Sequence, residues 1–188
     1  MVNLKTKKKG FTIIELLLAL SLSGIVLSIF FSFFMTHEDA LNKTQKRSEL
    51  QMDTQLLTEY FSKSAMEASK ISKIDSLASE ASISTFSGTY QLTSGITFYV
   101  DPTLSYVFTI SGKRISYHKE ENSLSSAEHE ISKEVGTIKI TPVGVGVGNV
   151  GVSNFSTCKG IQVDINLVSD DGKVTYSTTN SMFFRNKK

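Results

Sequence analysis

The stretch that most constrains this chain runs from Lys7 to Met35, KKKGFTIIELLLALSLSGIVLSIFFSFFM: three lysines, a glycine, then an apolar run broken by one acid, Glu15. From Leu16 to Met35 there are 20 residues without a charge. As a helix rising about 1.5 Å per residue, that part reaches about 30 Å, the thickness of a bilayer hydrocarbon core. The run is therefore long enough to cross a membrane. A secretory signal peptide has a shorter apolar core, about 7 to 15 residues, leading to a small-residue cleavage site. Here the run ends instead in Phe30, Phe31, Phe33, Phe34 and Met35. A plain single-pass anchor fits the length but gives Glu15 no purpose. On insertion scales an acid at the centre of a span costs about 2.5 to 3.5 kcal/mol, and less near its end.

The segment Gly10-Phe11-Thr12-Ile13-Ile14-Glu15, preceded by Lys7, Lys8 and Lys9, resembles the processing site of type IV prepilins and the related pseudopilins of secretion and DNA-uptake systems. The resemblance implies that a membrane-embedded prepilin peptidase cuts between Gly10 and Phe11 on the cytoplasmic side. Phe11 is then expected to be N-methylated, with the apolar segment kept as the first half of a long helix. Glu15 becomes the fifth residue of the mature chain. The new amine of Phe11 and the carboxylate of Glu15 attract strongly in a low-dielectric setting, where each alone is costly to bury. Four residues apart on one helix, they can pair within a subunit or between neighbours. Glu15 is thus expected to serve assembly by facing the Phe11 amine of an adjacent subunit.

Of 188 residues, a spanning start leaves about 150, enough for one ordinary domain. Four of the 20 basic residues, Lys5, Lys7, Lys8 and Lys9, lie in the leader, which leaves 16 against 18 acids, a balance of −2. The basicity belongs to the leader, and by the positive-inside rule it keeps the amino end cytoplasmic and the carboxyl part outside. A nucleic-acid role argued from net charge loses its support. Cys158 is the single cysteine, so no intrachain disulfide forms, unlike the carboxyl-terminal loop of many Gram-negative pilins. It reads as a half-buried small side chain at a strand edge.

From Thr36 to about Ile74 there is no Gly or Pro, and apolar residues recur in steps of three and four, as in Leu50, Leu57, Phe61 and in Met52, Leu56, Tyr60. This is the stripe of an amphipathic helix continuing from the span. Beyond Ser82 the pattern becomes alternating. Short strands are expected near Ile83 to Phe86 and Tyr90 to Leu92, then at Ile96 to Val100, Ser105 to Ile110 and Arg114 to His118. Asp101-Pro102 and Ser111-Gly112 supply turns between the last three. Glu120 to Glu134 reads as a polar loop or short helix, and Thr137 to Thr141 as a strand ending at Pro142. Gly160 to Val168 and Lys173 to Phe184 form a hairpin across Ser169-Asp170-Asp171-Gly172.

The expected fold is α+β: a long N-terminal helix, its first half transmembrane and its second amphipathic, packed on a mostly antiparallel β-sheet in the pilin manner. The expected organisation is a leader at 1–10, a span and filament core at 11–35, an amphipathic half-helix at 36–74 and a sheet domain at 75–188. The helix segment LQMDTQLLTEYFSKSAMEAS and the ending Phe184-Arg185-Asn186 make the chain similar to J-type minor pseudopilins and W-type minor pilins. That likeness implies a tip-located subunit. Ser32, where many major pilins carry a proline, agrees with a minor subunit.

Other chemistry is weakly signalled. Gly146-Val147-Gly148-Asn149-Val150-Gly151 has GxGxxG spacing, but no helical pattern follows it to receive a pyrophosphate. It reads as a glycine loop or edge ribbon. His37, His118 and His129 show no ligand spacing. Asp164, Asp170 and Asp171 could suggest calcium, although Asp-Asp-Gly between alternating strands is more simply a turn. No Ser/His/Asp or Cys/His set stands out, so the chain reads as no enzyme, with no cofactor and no nucleotide site. The expected role is a structural subunit of a type IV pilus or of a type II secretion or competence pseudopilus. Its partners are a prepilin peptidase, other pilin subunits, an assembly-platform membrane protein and, before assembly, lipid. The alternatives are a membrane-anchored surface binding domain or a major pilin.

Overall fold

The computed structural model describes residues 10–75, 77, 83, 88–144, 154–155 and 158–185. Among the described residues a long helix, α1 (Ile13–Glu67), precedes ten strands. The chain divides into two compact units, Met1–Thr44 and Gln45–Lys188. The first holds the apolar part of α1 and the second holds the rest of that helix with all the strands.

The strands are β1 (Lys70–Ile74), β2 (Tyr90–Leu92), β3 (Gly95–Asp101), β4 (Leu104–Ser111), β5 (Arg114–Glu121), β6 (Leu124–Ser125), β7 (His129–Ser132), β8 (Val135–Val143), β9 (Gly160–Val168) and β10 (Thr175–Phe183). They form two sheets rather than the one expected. One has the order β1-β3-β4-β5-β6 with β7 also on β5, and the other has the order β10-β9-β8-β2. Every strand pairing is antiparallel. The fold is the expected α+β one, a long helix with antiparallel sheets. Its core is a single cluster drawn from α1 and both sheets.

Within the second unit α1 buries Leu50, Thr54, Leu57, Phe61, Ser64 and Ala65, a stripe at steps of three and four. Of the two expected stripes, Leu50-Leu57-Phe61 is core, Leu56 and Tyr60 are partly buried, and Met52 is exposed. Phe61 stacks on Phe108 with centroids 4.2 Å apart and meets Phe98 edge-on at 6.0 Å. Phe98 and Phe108 are themselves edge-on at 5.8 Å. Such offset and T-shaped contacts suit the ring quadrupoles. On the other sheet Asn180 donates from Nδ2 to Thr58 Oγ1 at 3.3 Å.

The helix ends at Glu67 and not near Ile74. Ser69 turns the chain, its amide donating to Tyr99 O and its hydroxyl lying within 3.1 Å of Tyr99 O and Val100 O. Lys70–Ile74 then pairs with β3, with a register shift between Ile71 and Lys73. A bulge inserts one residue, so positions three apart face the same way. Ile71 and Ile74 are accordingly both buried, with the spacing of a helical face.

Three further expectations change. The polar segment Glu120 to Glu134 is neither loop nor helix, since β5 runs to Glu121 and β6 and β7 follow. Asn122 and Ser123 have φ of 52° and 65°, the paired positive values of a tight hairpin turn. β8 continues through Pro142, which lies opposite Ile161 of β9. On the other side β2 covers only Ile138 to Ile140, so the missing proline N–H falls beyond the pairing. Cys158 is fully buried rather than half-buried, its Sγ directed to Phe155 O at 3.3 Å. Strands at Tyr90–Leu92 and Gly160–Val168 match expectation residue for residue. The strand expected over Ile83 to Phe86 lies, apart from Ile83, outside the described residues.

Asp75 ties the sheets together. It follows β1 with φ of 50°, and its side chain is buried. Oδ1 accepts from the amides of Thr93, Ser94 and Gly95 at 3.0, 2.7 and 2.9 Å. Oδ2 accepts from Thr93 Oγ1 at 2.8 Å and from Tyr90 Oη at 3.1 Å. Thr93 and Ser94 carry the chain from β2 in one sheet to β3 in the other. Gly95, at φ of 139°, has room for nothing larger, because a Cβ there would lie 1.9 Å from Phe108 O.

A half-buried ion pair closes the other end. Lys46 Nζ lies 2.8 Å from Glu134 Oε1 and 3.0 Å from Glu49 Oε2, with the Glu134 side chain only 10% exposed. Lys46→Met leaves that carboxylate without its cation, and we expect a loss of about 1–2 kcal/mol. Urea denaturation of the full chain in detergent micelles measures it, with Glu49→Gln costing under about 0.5 kcal/mol as the exposed comparison.

Candidate functional site

The junction singled out by the sequence sits where the helix begins. Gly10, Phe11 and Thr12 are outside α1, and Ile13 is its first residue. Thr12 caps the helix. Its carbonyl accepts from the amides of Glu15 at 3.1 Å and Leu16 at 3.2 Å, and its Oγ1 lies 3.4 Å from the Glu15 amide. Thr-x-x-Glu ahead of an apolar run is the pattern of a capping box, which places Glu15 at the third helical position. A carboxylate there also faces the positive end of the helix dipole. Thr12 went unremarked in the motif, although its spacing to Glu15 carried the signal.

The Gly10–Phe11 bond therefore lies outside the helix, directly before its first turn. Gly10 is exposed, and an added Cβ would meet nothing within 4 Å. Phe11 is 84% exposed. This geometry leaves the bond open to a peptidase, and cleavage would put the new amine one residue before the Thr12 cap.

Beyond the cap, all the large apolar side chains from Ile13 to Met35 are exposed. None of this apolar stretch is buried within the described residues. By length and composition the segment can cross a membrane. Its hydroxyls are satisfied within the helix where a bond is seen: Ser21 donates to Leu18 O at 2.9 Å and Ser23 to Ala19 O at 2.8 Å. Such back-bonding removes polar groups that hydrocarbon would leave unpaired. A second apolar surface, not water, is what this face is built for.

The other candidates dissolve into ordinary structure or lie elsewhere. Asp171 Oδ1 accepts from Ser169 Oγ at 2.6 Å and the Lys173 amide at 3.0 Å, which closes the β9–β10 turn. The Ser169 hydroxyl, then the Lys173 amide, hold its carboxyl below the usual range. Asp164 accepts from Thr179 Oγ1 at 2.6 Å, across the hairpin. Asp170 lies 3.8 Å from Lys113. These carboxylates do not converge, and among the described residues no group of three His, Cys, Asp or Glu could hold a metal. His37 stacks on Phe33 at 6.1 Å, His118 lies 3.6 Å from Glu120 and His129 is 5.9 Å from the Tyr60 ring. The glycine segment Gly146 to Gly151, the lysines of the leader and Asn186 lie outside the described residues.

Comparison with curated proteins and with solved structures returned no match. Residues 5–31 do match a family model, described as the prokaryotic N-terminal methylation motif. That segment contains the Gly10–Phe11 junction, the Thr12 cap, Glu15 and most of the exposed apolar helix. The chain thus carries at its amino end the signature of type IV pilin-like proteins.

Proposed function

We propose that the chain is a minor, tip-located structural subunit of a type IV pilus or of a type II secretion or competence pseudopilus. Prepilin peptidase removes residues 1–10, Phe11 is N-methylated, and residues 11–35 serve first as a membrane anchor and then as filament core. The observation that carries this reading is the methylation motif at residues 5–31 leading directly into an apolar helix face with no cover. Lipid and neighbouring helices are similarly apolar, so transfer from bilayer to filament exposes no span to water. Glu15, at the third position of the capped helix, is the residue assigned to assembly, opposite the Phe11 amine of a neighbour. The minor, J-type or W-type reading draws support from the extensive sheet structure after the helix and from Phe184, which is buried beside Phe98 at 6.4 Å. The partners in this reading are prepilin peptidase, other pilin subunits and an assembly-platform membrane protein.

Intact mass of the chain co-expressed with a prepilin peptidase is the direct test. The expected product has lost residues 1–10 and gained one methyl group on Phe11. A chain that stays unprocessed beside an active peptidase removes the reading. Glu15→Ala should be processed normally yet enter filaments at least about tenfold less often, a loss matching one unpaired charge-assisted contact. Incorporation at the wild-type level ends the assembly role for Glu15.

A further inference from the structure

The start of α1 at Ile13 is not dictated by the propensity of the residues before it. Phe11 and Thr12 are ordinary helix formers, and each residue added to a helix gains a hydrogen bond. Gly10 is itself an acceptable N-cap, close to threonine in rank. A helix capped by Gly10, with Phe11 as its first residue, therefore competes closely with the helix observed. What separates the two is the cap at Thr12.

The two starts differ at an atom that matters to processing. In the structure the first acceptor of the helix is Thr12 O, bonded by the amides of Glu15 at 3.1 Å and Leu16 at 3.2 Å, with Thr12 Oγ1 3.4 Å from the Glu15 amide. Among the described residues no hydrogen bond reaches Gly10 O, and the amides of Ile13 and Ile14 donate to no carbonyl. A start at Gly10 brings those two amides onto Gly10 O, three and four residues back. That oxygen belongs to the bond to be cut. Hydrolysis joins the oxygen of a water to the Gly10 carbonyl carbon and breaks its bond to Phe11 N, leaving a Gly10 carboxylate and a protonated Phe11 amine. A carbonyl closed into the first helical turn is withheld from that attack, and the later start presents it.

We propose that Thr12 is a positioning residue for the peptidase: by capping α1 it keeps the Gly10 carbonyl out of the helix and available for the cut. The inference rests on the processing reading above and adds to it a determinant on the far side of the scissile bond. Loss of a threonine cap shifts the balance between the two starts about fivefold. Alanine shifts it about two- to threefold further, because it also favours the longer helix.

Cleavage of the full chain in detergent micelles by an active prepilin peptidase tests it through kcat and KM. Thr12→Asn and Thr12→Ser keep an N-cap and are expected to stay within about twofold of wild type in kcat/KM. Thr12→Val, nearest to threonine in shape but unable to accept a hydrogen bond, is expected to fall about two- to fivefold, and Thr12→Ala about three- to tenfold. The loss should sit in KM with kcat unchanged, because the early helix takes a fraction of the substrate out of the competent state. The helix start is read without any activity by the Cα chemical shifts of the uncut chain, which should turn helical at Phe11 in the valine and alanine variants but not in the asparagine and serine ones. Valine cut as well as wild type and better than asparagine means that the peptidase reads side-chain shape at this position, and overturns the proposal. So does a fall in kcat at constant KM, or a helix start that stays in place in all four variants. Wild type left uncut by an active peptidase removes the processing reading itself, and this inference with it.

Discussion

Asp75→Ala is expected to destabilise the second unit, Gln45–Lys188, by about 3–5 kcal/mol, among the largest single effects available outside the core. The alanine removes the acceptor for three backbone amides and two hydroxyls at the passage between the sheets. Of those amides, the Gly95 N–H is buried and has no route to water. Asp75→Asn keeps one acceptor oxygen and should cost about half as much, because its NH2 group now points at donors. The pH dependence separates this role from simple packing. Burial alone would raise the Asp75 carboxyl, but the amides of Ser94 and Gly95, with the Thr93 hydroxyl and amide, outweigh it and hold the pKa below the ordinary value. Because folding lowers this pKa, its stabilisation is fully present above the unfolded value of about 3.9. It is lost as pH falls through the lower folded value. Urea midpoints of the full chain in micelles, measured from pH 7 down to about pH 2, should fall on the acid side. That fall should be shallower in Asp75→Asn, and identical slopes would count against the clamp.

Phe61→Ala is expected to cost about 3–5 kcal/mol, from lost burial and the cavity left behind. Phe61 is fully buried, and its ring is the contact of α1 with both Phe98 and Phe108. Removing it opens a hole at the point where the helix meets the larger sheet. Phe61→Leu restores most of the volume and should cost about 1–1.5 kcal/mol plus the ring contacts, each about 0.5–1.5 kcal/mol. Near-UV circular dichroism with urea reads both variants. If alanine cost no more than leucine, the helix would not be held through this cluster.

The amino-terminal third was legible because its signals are local. Hydropathy and the methylation motif are read within a few residues of one another and need no distant partner, and the Thr-x-x-Glu cap is as local although it went unremarked. The hairpin Gly160 to Phe183 was equally plain, because alternation and a turn of Ser-Asp-Asp-Gly are contiguous. Ile71 and Ile74 misled because a bulge in a strand reproduces helical spacing. Glu120 to Ser132 misled because strands with exposed side chains need not alternate.

By itself the sequence determined that residues 5–31 carry a methylation motif that runs into a long apolar helix, and that antiparallel strands follow. Only the tertiary structure decided that these strands form two sheets, that Asp75 joins them, and that β10 ends the smaller sheet among the described residues. The physical reason is the range of the interactions. Capping, hydropathy and turns act between neighbours in the chain. The Asp75 carboxylate gains its role from amides about twenty residues away, and an edge is defined only by which strands end up beside it.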